Sequence, residues 1–127
     1  MVEIRPLGKL DTKPLEEEFG RLGTDEVVVT AERFEHIRKN HPQDIELFEK
    51  FGEAAIQSPD IILKDQLNEN TVFIIKKLED TNINVVIRLI LETDEQEHKN
   101  SVMTFYRIRT KNLVKLEKKH KTLYKKE

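Results

Sequence analysis

The stretch Ile83-Asn84-Val85-Val86-Ile87-Arg88-Leu89-Ile90-Leu91 decides the fold class. Its apolar, β-branched residues favour a strand, and with Arg88 inside it the stretch is far too short for a membrane helix. Alternation sends Val85, Ile87, Leu89 and Leu91 to one side and Asn84, Val86, Arg88 and Ile90 to the other. Upstream, Thr71 to Leu78 is a second strand, joined to the first by a Glu79-Asp80-Thr81-Asn82 turn. Ile61-Ile62-Leu63 is a shorter strand before it. Downstream, past a polar loop from Thr93 to Asn100, Ser101 to Arg109 is the last long strand. Within it Met103 and Phe105 fit the core side, and Thr104 and Tyr106 the opposite side. Pairing of 83–91 with 101–109 would gather Arg88, Thr104 and Tyr106 on one open sheet face, with Lys76 or Lys77 joining them according to register. A cation, a hydroxyl and a phenol on an otherwise apolar sheet are not what core packing asks for.

Before Ile61 the pattern has a helical period. Thr30 can cap a helix running to about Asn40, with Phe34, Ile37 and His41 on its packing face. Arg33, His36 and Asn40 share an offset face. His41-Pro42 ends this helix, because the residue before proline avoids the α region. Asp44 caps the next helix, which carries Ile45, Phe48, Phe51, Ala55 and Ile56 inward until Ser58-Pro59 stops it. Residues 1–26 are a lead-in: a short strand, then a helix beginning at Thr12-Lys13-Pro14 and closed by Gly20. Val27-Val28-Val29 is a short buried strand. Residues 110–120 form a basic amphipathic helix with Leu113, Val114 and Leu116 inward, and Leu123-Tyr124 is a final edge strand. The expected architecture is one α+β domain over 1–127, with lead-in 1–26 and core 27–127. Helices come first, then an antiparallel sheet whose last strand runs into a basic helix.

A chain of 127 residues is the size of one ordinary domain and can bury one real core. It has no cysteine, which excludes a disulfide scaffold and a thiolate zinc site. Met1-Val2-Glu3-Ile4-Arg5-Pro6 has no apolar region of a secretory signal, so a cytoplasmic protein with no membrane contact is expected. The net charge of −2 hides an asymmetry: from Lys99 to Glu127 ten Lys or Arg face two Glu, a net of +8, so residues 1–98 carry −10. A basic C-terminal segment on an acidic body is either a solvated helix or the footprint of a polyanion.

His98 and His120 lie among charges and read as surface residues. His36 and His41 stand five apart, a poor spacing for metal chelation, and no HExxH occurs. A proton acceptor and donor near a helix end suit general acid–base chemistry better. Their structural alternatives are a surface histidine at 36 and a helix-end residue at 41. GxSxG, GxxxxGK[ST] and GxGxxG are absent, and no metal-ligand constellation or cofactor motif stands out.

One ordered pattern spans nearly the whole chain. It runs Leu7-Gly8-Lys9-Leu10, Val27-Val28-Val29-Thr30, Glu32-Arg33, His36-Ile37 and His41-Pro42. It continues with Ser58-Pro59-Asp60-Ile61-Ile62, Asn70-Thr71, Val85-Val86, Asn100-Ser101-Val102-Met103-Thr104 and Leu123-Tyr124. This pattern resembles the phage-associated branch of the barnase–EndoU–colicin–RelE-like (BECR fold) nucleases. The resemblance implies N-terminal helices packed on a four-stranded antiparallel sheet. It also implies a metal-independent endoribonuclease, phage- or prophage-associated and toxin-like, with RNA as substrate and an antitoxin as an inhibitor partner. The helix histidines match His36 and His41, and the polar end of the late strand matches Ser101 and Thr104. Lys76 and Arg88 come from strand alternation; Arg33, Tyr106 and Arg107 complete the substrate-binding set. The competing expectation is a non-catalytic RNA-binding or protein-interaction phage accessory module that keeps the nuclease fold.

Overall fold

The computed structural model describes residues 4–93 and 99–126. The chain runs β1 (Ile4–Lys9), α1 (Lys13–Phe19), β2 (Glu26–Thr30), α2 (Ala31–Asn40), a 3-10 turn (Pro42–Asp44) and α3 (Ile45–Gln57). It continues through β3 (Ile61–Lys64), β4 (Thr71–Lys77), β5 (Asn82–Arg88), β6 (Asn100–Ile108), α4 (Thr110–Lys119) and β7 (Lys121–Lys125). Of the expected polar loop, residues 94–98, with His98, lie outside the described residues.

The strands form one seven-stranded mixed sheet in the order β1-β2-β6-β5-β4-β3-β7, with β2–β6 parallel and the other neighbours antiparallel. This corrects the expectation of N-terminal helices on a four-stranded antiparallel sheet. The four strands β3 to β6 are antiparallel, but β1 and β2 extend them at one edge and β7 at the other. The physical reason is burial. Val27, Val28 and Val29 are all buried, which puts β2 between neighbours and inside both faces of the sheet.

The helices also divide between the two faces. Leu15 of α1, Ile37 of α2 and Phe48 and Ile56 of α3 share a core with Val29, Ile74, Val85, Ile87 and Phe105. Leu113 of α4 packs on the opposite face against Ile61, Leu63, Phe73, Ile75, Val86 and Ile108. Phe48, Ile87 and Phe105 are core residues as expected, while Phe51 is only half-buried. A register shift between Val86 and Ile87 breaks the alternation of β6, so Met103 packs on the α4 face, and only Phe105 of the pair joins the helix-side core.

One local reading holds and two change. Thr30 does cap α2, its Oγ1 accepting from the Arg33 N–H at 3.1 Å. Asp44 does not cap α3 with its side chain. Beyond Ser101, β6 has no strand on its outer side among the described residues, since β2 pairs only with Asn100 and Ser101. The buried Asp44 carboxylate fills that place, accepting from the Arg107 backbone N–H at 3.3 Å and from Arg107 Nε at 2.7 Å. His120 is buried, not superficial: Nδ1 accepts from the Gln66 N–H at 3.0 Å, and the ring meets Phe73 edge-on at 4.9 Å.

Asn100 locks the start of β6. Fully buried, it accepts from the Ile90 N–H at 2.8 Å and donates to the carbonyls of Thr24 and Glu26 at 2.9 and 3.0 Å. The lock joins the loop before β2, the chain after β5 and the first residue of β6, and so aligns the strands that carry the site.

Candidate active site

The cross-strand pairs Asn84–Tyr106, Val86–Thr104 and Arg88–Ser101 set a polar row along β5 and β6. Val86 and Tyr106 belong to the α4 side of the sheet, so the whole row lies on that face, as strand alternation anticipates. Tyr106 and Thr104 are two residues apart on one strand, so their roots stand about 7 Å apart. Arg88 is exposed, and Ser101, Thr104 and Tyr106 are half-exposed. Ser101 Oγ donates to the Lys99 carbonyl at 3.1 Å. The Thr104 hydroxyl makes no hydrogen bond to another described residue, and the Arg88 guanidinium has no acidic partner among the described residues.

The row contains one residue that the sequence did not single out. Asn84 is fully buried between Ile75 and Tyr106, and its Nδ2 donates to the Tyr106 phenol oxygen at 3.0 Å. Its Oδ1 is buried without a partner among the described residues. Such an atom costs about 1–3 kcal/mol. An asparagine inside an apolar strand was the available signal.

His41 reaches this row from the end of α2. Its backbone N–H donates to the Ile37 carbonyl at 2.7 Å, which turns the chain where the helix stops. Its ring lies 6.0 Å from that of Tyr106, centroid to centroid, at an interplanar angle of 31°. α2 itself packs along β6. His36 is exposed on this helix, and its Nε2 stands 3.0 Å from Asn40 Nδ2. Arg33 is half-buried, and its guanidinium has no ion-pair partner among the described residues. Arg33 and His36 both line a hollow of about 740 Å³ along α2, whose charges are mixed: Arg38 and Lys39 stand there with Glu32 and Glu35. Arg38, on the same helix, is occupied: the Glu35 carboxylate at 2.7 Å raises its guanidinium above the ordinary value.

Two candidates stand elsewhere. Lys76 lies between Ile75 and Lys77 on the helix side of the sheet, where its Nζ donates to the Ser58 carbonyl at 2.7 Å and lies 3.9 Å from Asp60. Arg107 is bound by Asp44, on the face opposite Tyr106. The fold therefore sets Arg88, Ser101, Thr104 and Tyr106 in one row with His41 at its Tyr106 end, places Arg33 and His36 on the adjoining helix, and commits Lys76 and Arg107 to other partners.

The basic C-terminal segment is also partly occupied. Lys121 pairs with Glu18 at 2.9 Å and Lys125 with Glu117 at 2.9 Å. Lys111, Lys115, Lys118 and Lys119 of α4 are exposed, without acidic partners among the described residues. Among the described residues no three His, Asp or Glu side chains gather as metal ligands, and no helix is long and apolar enough to cross a membrane. No protein-family model, curated protein or solved structure matches the chain.

Proposed function

We propose that the protein is a metal-independent endoribonuclease acting on the face formed by β5 and β6. The observation that carries this reading is the row Arg88–Ser101, Thr104, Tyr106 closed by the His41 ring. Along one sheet face it sets, in order, a cation and a hydroxyl that have no partner among the described residues, then a phenol with an imidazole beside it, the Arg88 and Tyr106 ends standing about 13 Å apart at their roots.

His41 takes the proton of the ribose 2′-hydroxyl, and the 2′-oxygen attacks the adjacent phosphorus. Arg88 and the Thr104 hydroxyl stabilise the charge that grows on the non-bridging oxygens. The bond to the 5′-oxygen breaks, and Tyr106 or His36 gives that oxygen its proton. The products are a 2′,3′-cyclic phosphate and a 5′-hydroxyl. Arg33 and the free lysines of α4 hold flanking phosphates. The ordered sequence pattern that resembles phage-associated BECR nucleases suggests the same chemistry, and with it a cytoplasmic RNA substrate and an inhibitor protein as partner, while the seven-stranded sheet departs from the four-stranded one that pattern implies.

The second reading, an RNA-binding module without catalysis, is favoured by one observation: His36 lies against Asn40 of its own helix. Incubation of total RNA in EDTA separates the two. Cleavage by the wild type and its loss in His41→Ala supports the enzyme. Binding without cleavage by the wild type supports the module.

A further inference from the structure

The Tyr106 ring is held at both ends. Its oxygen accepts from Asn84, a fully buried residue of the neighbouring strand, and its ring lies against His41. The two rings are within 31° of parallel, and both residues are half-exposed. Asn84 is unusual as a purely structural choice, because it buries a carbonyl oxygen without a partner to supply that one hydrogen bond. A valine or leucine would suit the strand better. What Asn84 adds is a fixed ring orientation next to uncommitted polar groups, two residues along the strand from Thr104 and four from Arg88.

We propose that Tyr106 and His41 form a nucleobase-stacking shelf for single-stranded RNA, with Asn84 as its positioning residue. Flat aromatic and imidazole rings held on a sheet are how proteins take unstacked bases, and stacking tolerates any base because every base has a π-face. Thr104 and Arg88 then receive the phosphate next to the stacked nucleotide. A duplex, whose bases face one another, cannot enter the shelf. The inference rests on the RNA reading for its ligand class but not on cleavage.

The chain has two tyrosines and no tryptophan, so Tyr124→Phe leaves Tyr106 as the sole fluorophore of its kind. In this background the probes are an all-deoxy single strand, which lacks the 2′-hydroxyl, an abasic strand of equal length and charge, and a duplex. The single strand is expected to quench Tyr106 emission on binding, while the abasic strand and the duplex leave it unchanged. Asn84→Val should weaken binding of the base-bearing strand about tenfold and leave abasic binding unaltered. His41→Ala, at a half-exposed helix end, should do the same without risk to the core. Equal quenching by the abasic strand, or no quenching by any strand, overturns the shelf. Quenching without RNA cleavage keeps the shelf and removes the nuclease; cleavage without quenching does the opposite.

Discussion

Asp44 Oδ1 accepts a hydrogen bond of 2.7 Å from Arg107 Nε, and Oδ2 of the same carboxylate accepts from the Arg107 backbone N–H. The two residues are 63 apart in sequence. Their contact closes the half of β6 that has no strand neighbour on its outer side, and it fixes the turn after α2 against the sheet. His41 begins that turn and Tyr106 precedes Arg107, so the same contact sets the imidazole beside the phenol.

Asp44→Ala should therefore destabilise the fold by about 2–3 kcal/mol, since a buried charge-assisted bond is lost and a backbone donor is left open. Arg107→Ala should cost less, about 1 kcal/mol or below, because its side chain is 48% exposed and its backbone N–H remains. Urea denaturation of both variants checks the order. An Arg107 variant weaker than the Asp44 variant would contradict it.

The core makes a sharper contrast. Phe105 is fully buried, with its ring 4.7 Å from that of Phe48, whereas Phe51 is half-buried beside Lys50. Phe105→Ala should cost about 3–5 kcal/mol and Phe51→Ala clearly less. Equilibrium unfolding of the two variants decides, and equal losses would mean that Phe51 on α3 is as deeply packed as Phe105 on β6.

Much of this was legible in the sequence, element by element. Thr30 as a cap, the break at His41-Pro42, the hairpin around Glu79-Asp80 and the shared face of Arg88, Thr104 and Tyr106 all follow from local chemistry and strand alternation. How the strands add up did not. Parallel pairing of β2 with β6 joins residues more than seventy positions apart, and no local pattern encodes it. The bulge that moves Met103 is likewise a property of the pair of strands. His120 was a readable miss, because it continues the inward stripe of buried Leu113 and half-buried Leu116 at helical spacing. Asp44 reads as a helix cap from its neighbours, and only the unpaired edge of β6 explains why its carboxylate turns away.

The acidic clasp on the C-terminal strand makes stability depend on pH. The Lys121 hydrogen bond to Glu18 is the largest influence; desolvation, next in size, opposes it, and the charges of Lys121 and Lys64 then help to hold the Glu18 carboxyl below its ordinary value of 4.5. A carboxyl lowered by folding adds stability above its unfolded value and loses it as pH falls through the folded one. Thermal midpoints of wild type and Glu18→Gln should differ at neutral pH and converge in acid. A gap that stays constant on acidification would contradict the clasp.

Charge on α4 and charge on β7 should have different effects on RNA binding. Lys111, Lys115 and Lys118 have no acidic partner among the described residues, so replacing them with Gln should lower the salt dependence of binding by about 0.7 in log–log slope per lost phosphate contact. Lys121 is already bound to Glu18, and Lys121→Gln should change the slope little. Binding isotherms at several salt concentrations compare them. Identical slopes for the triple variant and wild type would make α4 a solvated face.

The central claim is that a ribose 2′-hydroxyl is the nucleophile at the row of Arg88, Thr104, Tyr106 and His41. A deoxyoligonucleotide carrying a single ribonucleotide, incubated in EDTA with wild type and with His41→Ala, tests it directly. The expected result is one cut, on the 3′ side of the ribonucleotide, by the wild type alone, leaving a 2′,3′-cyclic phosphate and a 5′-hydroxyl. No cut by the wild type, a cut in the deoxy portion, or ends carrying a 3′-hydroxyl and a 5′-phosphate would contradict it.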